Sequence, residues 1–245
     1  MHMSDSLLSP TVSAAMCAVS LAANVYAVKK IKQDGICAEK IPLIGAMSAF
    51  VFATQMLNFT IPATGSSGHI IGGILLAAII GNFPALLSIS AVLIVQCLFF
   101  ADGGLLALGC NIFNMGVIPC LLIYPLLFKP LAKNGIVLAS IASAVASLQI
   151  GAFCVVLETQ LSGVAALPFS TFLSLMQPIH FAIGIAEGII TAGILCFVHH
   201  YNPRPALTFA ALAIFAGCIL SPFASQYPDG LEWSIEKTME KNSIN

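Results

Sequence analysis

IVLASIASAVASLQIGAFCVVL, residues 136–157, contains no charged side chain. A helix rising about 1.5 Å per residue needs about 20 such residues to cross the hydrocarbon core of a bilayer. This run therefore reads as a membrane-spanning helix, ending near residue 158. Comparable runs lie on both sides of it, near 11–28, 42–58, 69–81, 84–101, 111–128, 176–199 and 205–222. The third is short, and Gly81-Asn82-Phe83-Pro84 reads as a tight turn into the fourth. The composition agrees: 59% of residues are hydrophobic, 8% are charged, and the mean hydropathy is +1.00. Soluble domains carry about 25% charged residues. The expected fold is an all-α, polytopic transmembrane bundle of about seven to eight spans, with the lipid bilayer as its solvent.

The basic residues predict an orientation. Lys29, Lys30, Lys32 and Lys40 follow the first run, Lys129 and Lys133 the fifth, and Arg204 the seventh. With eight spans these connections share one side, which the positive-inside rule makes cytoplasmic. The connections around 59–68, 102–110 and 159–175 have no Lys or Arg and belong outside, together with the N-terminus. A net charge of −1 argues against a nucleic-acid partner. The eight cysteines are scattered, with no C-x-x-C pair, and mostly sit in apolar runs as small hydrophobes.

The chain starts Met1-His2-Met3-Ser4-Asp5-Ser6-Leu7-Leu8-Ser9-Pro10, without the basic residues of a signal peptide. A free α-amine, the His2 amide nitrogen and the His2 ring nitrogen nearest the backbone follow one another along the chain. If the amide loses its proton, they close a five-membered and then a six-membered chelate ring. An all-nitrogen, near-planar set suits Ni(II) or Cu(II) better than Zn, Mg or Ca. His69, at the start of the third run and on the same outer side, is the natural fourth nitrogen. Taken alone, a histidine at position 2 is more often exposed and disordered.

Other polar residues gather around this end. Thr64-Gly65-Ser66-Ser67-Gly68 precedes His69, and its small residues permit tight backbone packing. Asp102-Gly103-Gly104, followed by Asn111 and Asn114, fits a cavity lining that holds the N-terminal segment, since irregular backbone at membrane depth survives only against protein or a cavity. Asp102 is too hard a ligand for this metal, and a helix-capping role fits it equally well. His180 and Glu187, seven residues apart, share a helix face inside the seventh run, where ionisable groups usually face the bundle interior. Their roles, supporting the site, contacting a partner or packing, stay open. Ala14, Ala18 and Ala22 repeat every four residues along the first run and would let another helix approach closely.

These segments together resemble a known family. Met-His-x-x-Asp-x-x-Leu-Ser-Pro at the start, Ser67-Gly68-His69, Phe-Ala-Asp-Gly-Gly with Asn111-x-x-Asn114-Met115-Gly116, and His180-x-x-Ile183-Gly-x-x-Glu187-Gly188 are similar to the CbiM/NikM substrate-binding subunits of energy-coupling-factor cobalt and nickel transporters. The tail, Ala224 to Trp233, contains Pro228-Asp229-Gly230-Leu231-Glu232 and resembles a segment of the family's small accessory subunit, here fused. The expected layout is a metal-binding transmembrane domain over 1–200 and an additional helix with the accessory-type tail over 201–245.

The resemblance implies a metal held by Met1, His2 and His69, with the N-terminus tucked into the bundle. Asp5 is kept, although Met3-Ser4 and Ser6 replace the Ile-Pro and Gly common around it in the family. Asp5, Ser67, Asp102, Asn111, Asn114, His180 and Glu187 are the candidates for lining or supporting that site. It further implies no cofactor, Ni(II) or Co(II) as the transported ligand, and residence in a prokaryotic cytoplasmic membrane. The implied partners are a transmembrane coupling subunit, for which Ala14, Ala18 and Ala22 form a candidate contact, and cytoplasmic ATPases, with a separate small accessory membrane subunit left open. No Walker A sequence occurs, so the chain is not expected to be an enzyme. The rivals are a secondary, ATP-independent metal transporter and a ligand-free structural membrane subunit.

Overall fold

A computed structural model describes residues 1–35, 38–201 and 204–244; Cys37 lies outside them. Helix α1 (Pro10–Asp34) begins where Ser9 accepts the Val12 N–H on its hydroxyl at 3.4 Å. Pro10 sits in the first turn, where its missing N–H costs nothing. The helix stops at Gly35, whose φ of +75° suits glycine. Helix α2 (Ile41–Gln55) leads into a short antiparallel hairpin, β1 (Phe59–Ile61) and β2 (Ser66–Gly68), with Thr60 opposite Ser67.

Helix α3 (Gly73–Ile80) is only eight residues long and turns at Gly81 (φ +92°) into α4 (Asn82–Phe100). Helix α5 (Leu108–Ala132) contains a π-helical stretch, Phe113–Phe128, that accommodates Pro119 and Pro125. Two long helices follow, α6 (Ile136–Ser162) and α7 (Phe169–Tyr201). Helix α8 (Pro205–Phe215) runs on through a π turn, and the amphipathic tail forms α9 (Gly230–Ile244).

The chain is a polytopic helical bundle, as composition and the length of the apolar runs predict. Among the described residues, six helices are long and apolar enough to cross a membrane: α1, α4, α5, α6, α7 and α8 with its extension. The expected second run appears as the shorter α2. The expected third run, 69–81, is helical only from Gly73, because Gly72 has φ +77° and the preceding residues form the hairpin and its exit. One hairpin thus interrupts an otherwise helical fold.

Lipid supplies no hydrophobic drive between helices, so close packing must do the work. Gly184 and Gly188 in α7 show how. A Cβ on either would lie 2.8 Å from Val145 Cα and 2.5 Å from Ile141 Cα respectively, so the α6 and α7 backbones meet where only glycine fits. By contrast, α1 leaves most of its surface uncovered, and Ala14, Ala18 and Ala22 are all exposed.

Candidate metal centre

The first eight residues pack on the bundle, with Ser4, Asp5 and Ser6 exposed between buried neighbours. Met1, Met3, Leu7 and Leu8 are all at most 4% exposed, and full burial of such a side chain is worth about 1.5–3 kcal/mol relative to water. Asn111 grips the backbone just after His2: Met3 N–H donates to Asn111 Oδ1 at 2.8 Å, and Asn111 Nδ2 donates back to Met3 O at 3.1 Å. Asp5 accepts the Ala107 N–H at 3.1 Å. Any side chain on Gly104 would collide with Asp5, and Gly103 (φ +80°) lies against Asn111 and Met3. The glycine-rich loop packs against the N-terminal segment.

Three nitrogens meet at this end. The Met1 amine lies 3.4 Å from His69 Nε2, and the His2 and His69 rings face each other with centroids 4.9 Å apart. Two nitrogens bound at about 2.0 Å to one ion stand between about 2.8 Å apart when adjacent and about 4.0 Å when opposite. The observed amine–imidazole distance falls within that span.

The neighbours of each ring decide its tautomer. His2 Nε2 lies 3.2 Å from Gln96 Oε1, and Gln96 Nε2 donates to Met56 Sδ, so the oxygen faces the ring. An oxygen acceptor there favours Nε2–H, while on the other side of the ring Nδ1 faces the Asp102 carboxylate, Oδ1 at 3.6 Å. Nδ1 is the nitrogen an N-terminal chelate needs. His69 Nδ1 lies 3.4 Å from the Ile70 carbonyl, an acceptor again, so His69 Nε2 is bare toward the Met1 amine. Burial lowers the pKa of both histidines, more strongly for His69, where the N-terminal charge adds to it. For His2 the nearby Asp102, with Oδ1 3.6 Å from Nδ1, opposes that fall without overcoming it. Both rings are therefore held neutral, as metal ligation requires.

The tail supplies a member that sequence reasoning missed. Asp229 Oδ2 accepts from the Met1 amine at 3.4 Å, with the amine side 1% and the carboxylate 14% exposed. Burial alone would raise the Asp229 pKa. The N-terminal charge outweighs it and holds the carboxyl well below the usual range. Ser67 positions this tail: its N–H donates to Pro228 O at 2.8 Å and its hydroxyl donates to Tyr227 O at 2.8 Å.

The remaining candidates lie around this end of the bundle. Glu187, 2% exposed, accepts the Ile71 and Gly72 N–H groups at 2.9 and 3.0 Å and so fixes the loop that carries His69. Asn114 Nδ2 donates to Glu158 Oε2 at 2.8 Å, away from the amine. His180 donates from Nδ1 to Met176 O at 2.8 Å and lines a void of about 10 Å³ beside Met1, His69 and Asp229. A polar cavity of about 190 Å³, bordered by His2, Gln55, His69, Asp102, Asp229 and Glu232, opens from the same centre.

Gln96 and Asp229 both left a trace in the sequence. Gln96 is a polar side chain deep in an apolar run, which usually marks a functional interior position, and Asp229 sits in the recognisable Pro-Asp-Gly-Leu-Glu segment. No spacing rule links either to residue 1. Among the described residues, no three His, Cys, Asp or Glu side chains are grouped as a metal site. An ion bound here would need the backbone nitrogens of the N-terminus.

Residues 2–205 match the family described as cobalt uptake substrate-specific transmembrane region, and residues 204–245 match the PDGLE domain. A protein of Haloquadratum walsbyi named for metal transport is 33% identical over 224 residues, covering 91% of this chain and 98% of its own. The fused nickel transport protein NikMN of Rhodobacter capsulatus is 30% identical over 246 residues, covering 89% and 69%. A crystal structure of a truncated transition metal transporter superposes with a TM-score of 0.73 at 28% identity, over 82% of this chain and all of that one.

Proposed function

This chain belongs to the cobalt uptake substrate-specific transmembrane family, with a PDGLE domain at its C-terminal end, and from that premise we propose that it captures Ni(II) or Co(II) through the Met1 amine, the His2 amide and Nδ1, and His69 Nε2. The observation that carries this reading is the buried Met1 amine 3.4 Å from His69 Nε2, with the His2 and His69 rings 4.9 Å apart. The family and its relatives are metal transport components of a multi-pass membrane protein type, not enzymes. The metal is cargo, and the residues named hold it for passage.

In this reading the N-terminus faces outside, residues 1–200 form the capture domain, and 201–245 add a helix and the accessory-type tail. Energy comes from partners: a transmembrane coupling subunit docked on the exposed Ala14, Ala18 and Ala22 face, and cytoplasmic ATPases, in the cytoplasmic membrane of a prokaryote. The square-planar nitrogen set favours nickel over cobalt. The secondary-transport rival needs ionisable groups free to relay charge, whereas Glu187 is engaged by two backbone N–H groups and Glu158 by Asn114.

The test is a Ni(II) titration of protein with a free N-terminus, read by visible absorption, beside His2→Ala. The expected result is a yellow d–d band at one metal per chain that the variant loses. A folded wild-type protein that stays colourless would sink the proposal.

A further inference from the structure

The PDGLE segment has a local explanation that leaves one oxygen over. Asp229 Oδ1 accepts the Leu231 and Glu232 N–H groups at 2.9 and 2.8 Å, while Glu232 Oε2 accepts the Asp229 N–H at 3.3 Å. This reciprocal pattern is a capping box, with the acid at the helix N-cap and the Glu three residues on. It accounts for Asp229 and Glu232 as the start of α9, and Gly230 fits because a Cβ there would press on Ile183 and His180. Capping uses only Oδ1. The second oxygen, Oδ2, reaches the Met1 amine more than two hundred residues away in sequence.

The segment is also held in place independently of that contact. Ser67 binds Tyr227 and Pro228, Ser225 N–H donates to Asn58 O at 2.8 Å, and Ser67 and Asp229 form a β-bridge. The carboxylate is thus delivered to the amine by the hairpin and by the helix cap rather than by its own attraction.

We propose that Asp229 is the fixed counter-ion of the N-terminal nitrogen site, holding the Met1 amine in place before capture and balancing the charge of the metal afterwards. This rests on the nitrogen-site reading above. The balance follows from the ligands. Before capture the site carries one positive charge, on the ammonium. Capture brings two positive charges from M(II), and one proton leaves the ammonium and one the amide, both to solvent. The amine is then neutral and the amide singly negative, so the net charge is again plus one. A carboxylate fixed beside the amine faces one positive charge in both states and need not move.

The experiment uses the full chain with a free N-terminus, as Asp229→Asn and Asp229→Ala, beside His2→Ala. Asparagine caps a helix about as well as aspartate but carries no charge. Ni(II) affinity is titrated, and hydrogen exchange over the tail is measured on the metal-free proteins. Loss of a charged outer partner typically weakens metal affinity about 10- to 100-fold. Asp229→Asn is expected to show such a loss with wild-type exchange in α9. Asp229→Ala is expected to lose affinity and also expose the first turn of α9.

Wild-type affinity in Asp229→Asn overturns the proposal. So does an affinity loss in Asp229→Asn accompanied by the same tail exposure as Asp229→Ala, since undocking and not charge would then be responsible. If His2→Ala keeps full affinity as well, the nitrogen site itself is what has failed.

Discussion

The two ends of the chain reach the same place by different means. The N-terminal segment is part of the core: Met1, Met3, Leu7 and Leu8 are buried, and Asn111 clamps its backbone from both sides. The C-terminal segment lies over the hairpin and against α7, with Leu231 buried and Trp233 and Ile235 packed on the core, and it is tied by hydrogen bonds at Asn58 and Ser67 and by one carboxylate. The first end carries the nitrogens of the proposed site and is immobilised by packing. The second offers a charge and is attached by polar contacts to the hairpin together with the packing of one helix face. Changes at the first should therefore be costly to function, and changes at the second should tune it.

The sharpest way to break this contrast is at the amine. Acetylation or a one-residue extension at Met1 is expected to lower Ni(II) affinity by at least about 100-fold, as the chelate loses its terminal nitrogen, while the thermal transition stays in place. A blocked protein that titrates normally would move the site away from the N-terminus altogether. Next in size is His69→Ala, expected to cost about 10- to 100-fold in affinity by the same titration with the tail still docked; unchanged affinity would remove His69 from the ligand set.

Smaller effects sharpen the roles of the supporting groups. Glu187→Gln leaves one of two loop N–H groups without a carboxylate oxygen, and an unsatisfied buried donor costs about 1–3 kcal/mol. A lower thermal transition is expected, with affinity reduced less than in His69→Ala. A larger loss of affinity than in His69→Ala would make Glu187 part of the metal centre itself.

The pH dependence separates the ends again. Because His2 and His69 are already held below their ordinary pKa, they add little as pH rises from about 6 to about 8. Ni(II) affinity is nonetheless expected to rise over this interval, since the amine and amide must shed protons; a flat titration series would argue against both. Smallest of all is the response of the tail. The folded-state pKa of Asp229 is depressed, so the stability it contributes is present above the ordinary carboxylate value of about 4 and is lost only as pH falls through the folded value. Hydrogen exchange in α9, corrected for its intrinsic pH dependence, should match at pH about 5 and about 7; release of the tail at the higher pH would contradict this.

Much of this was legible in residues and spacing. Apolar run length located the long helices, and the order of amine, amide and imidazole along the chain suggested the chelate before any contact was visible. The hairpin at 59–68 was hidden because three-residue strands leave too short a pattern to read, and Gly72 shortened the third run by a backbone angle rather than by composition. Gln96 and Asp229 escaped because their roles depend on approach across the fold. Residues 2 and 96, or 1 and 229, are brought together by helix packing, and no periodicity within one element encodes that.

The contact between Met1 and Asp229 also has a consequence in time. Its two partners are 228 residues apart in sequence, and the amine leaves the ribosome first. At about 5–20 residues per second, the amine waits on the order of ten seconds or more for its carboxylate. A nascent chain can insert its early helices and still lack a finished centre. The contact thus reports that the stretch of chain between its two partners has been made and folded.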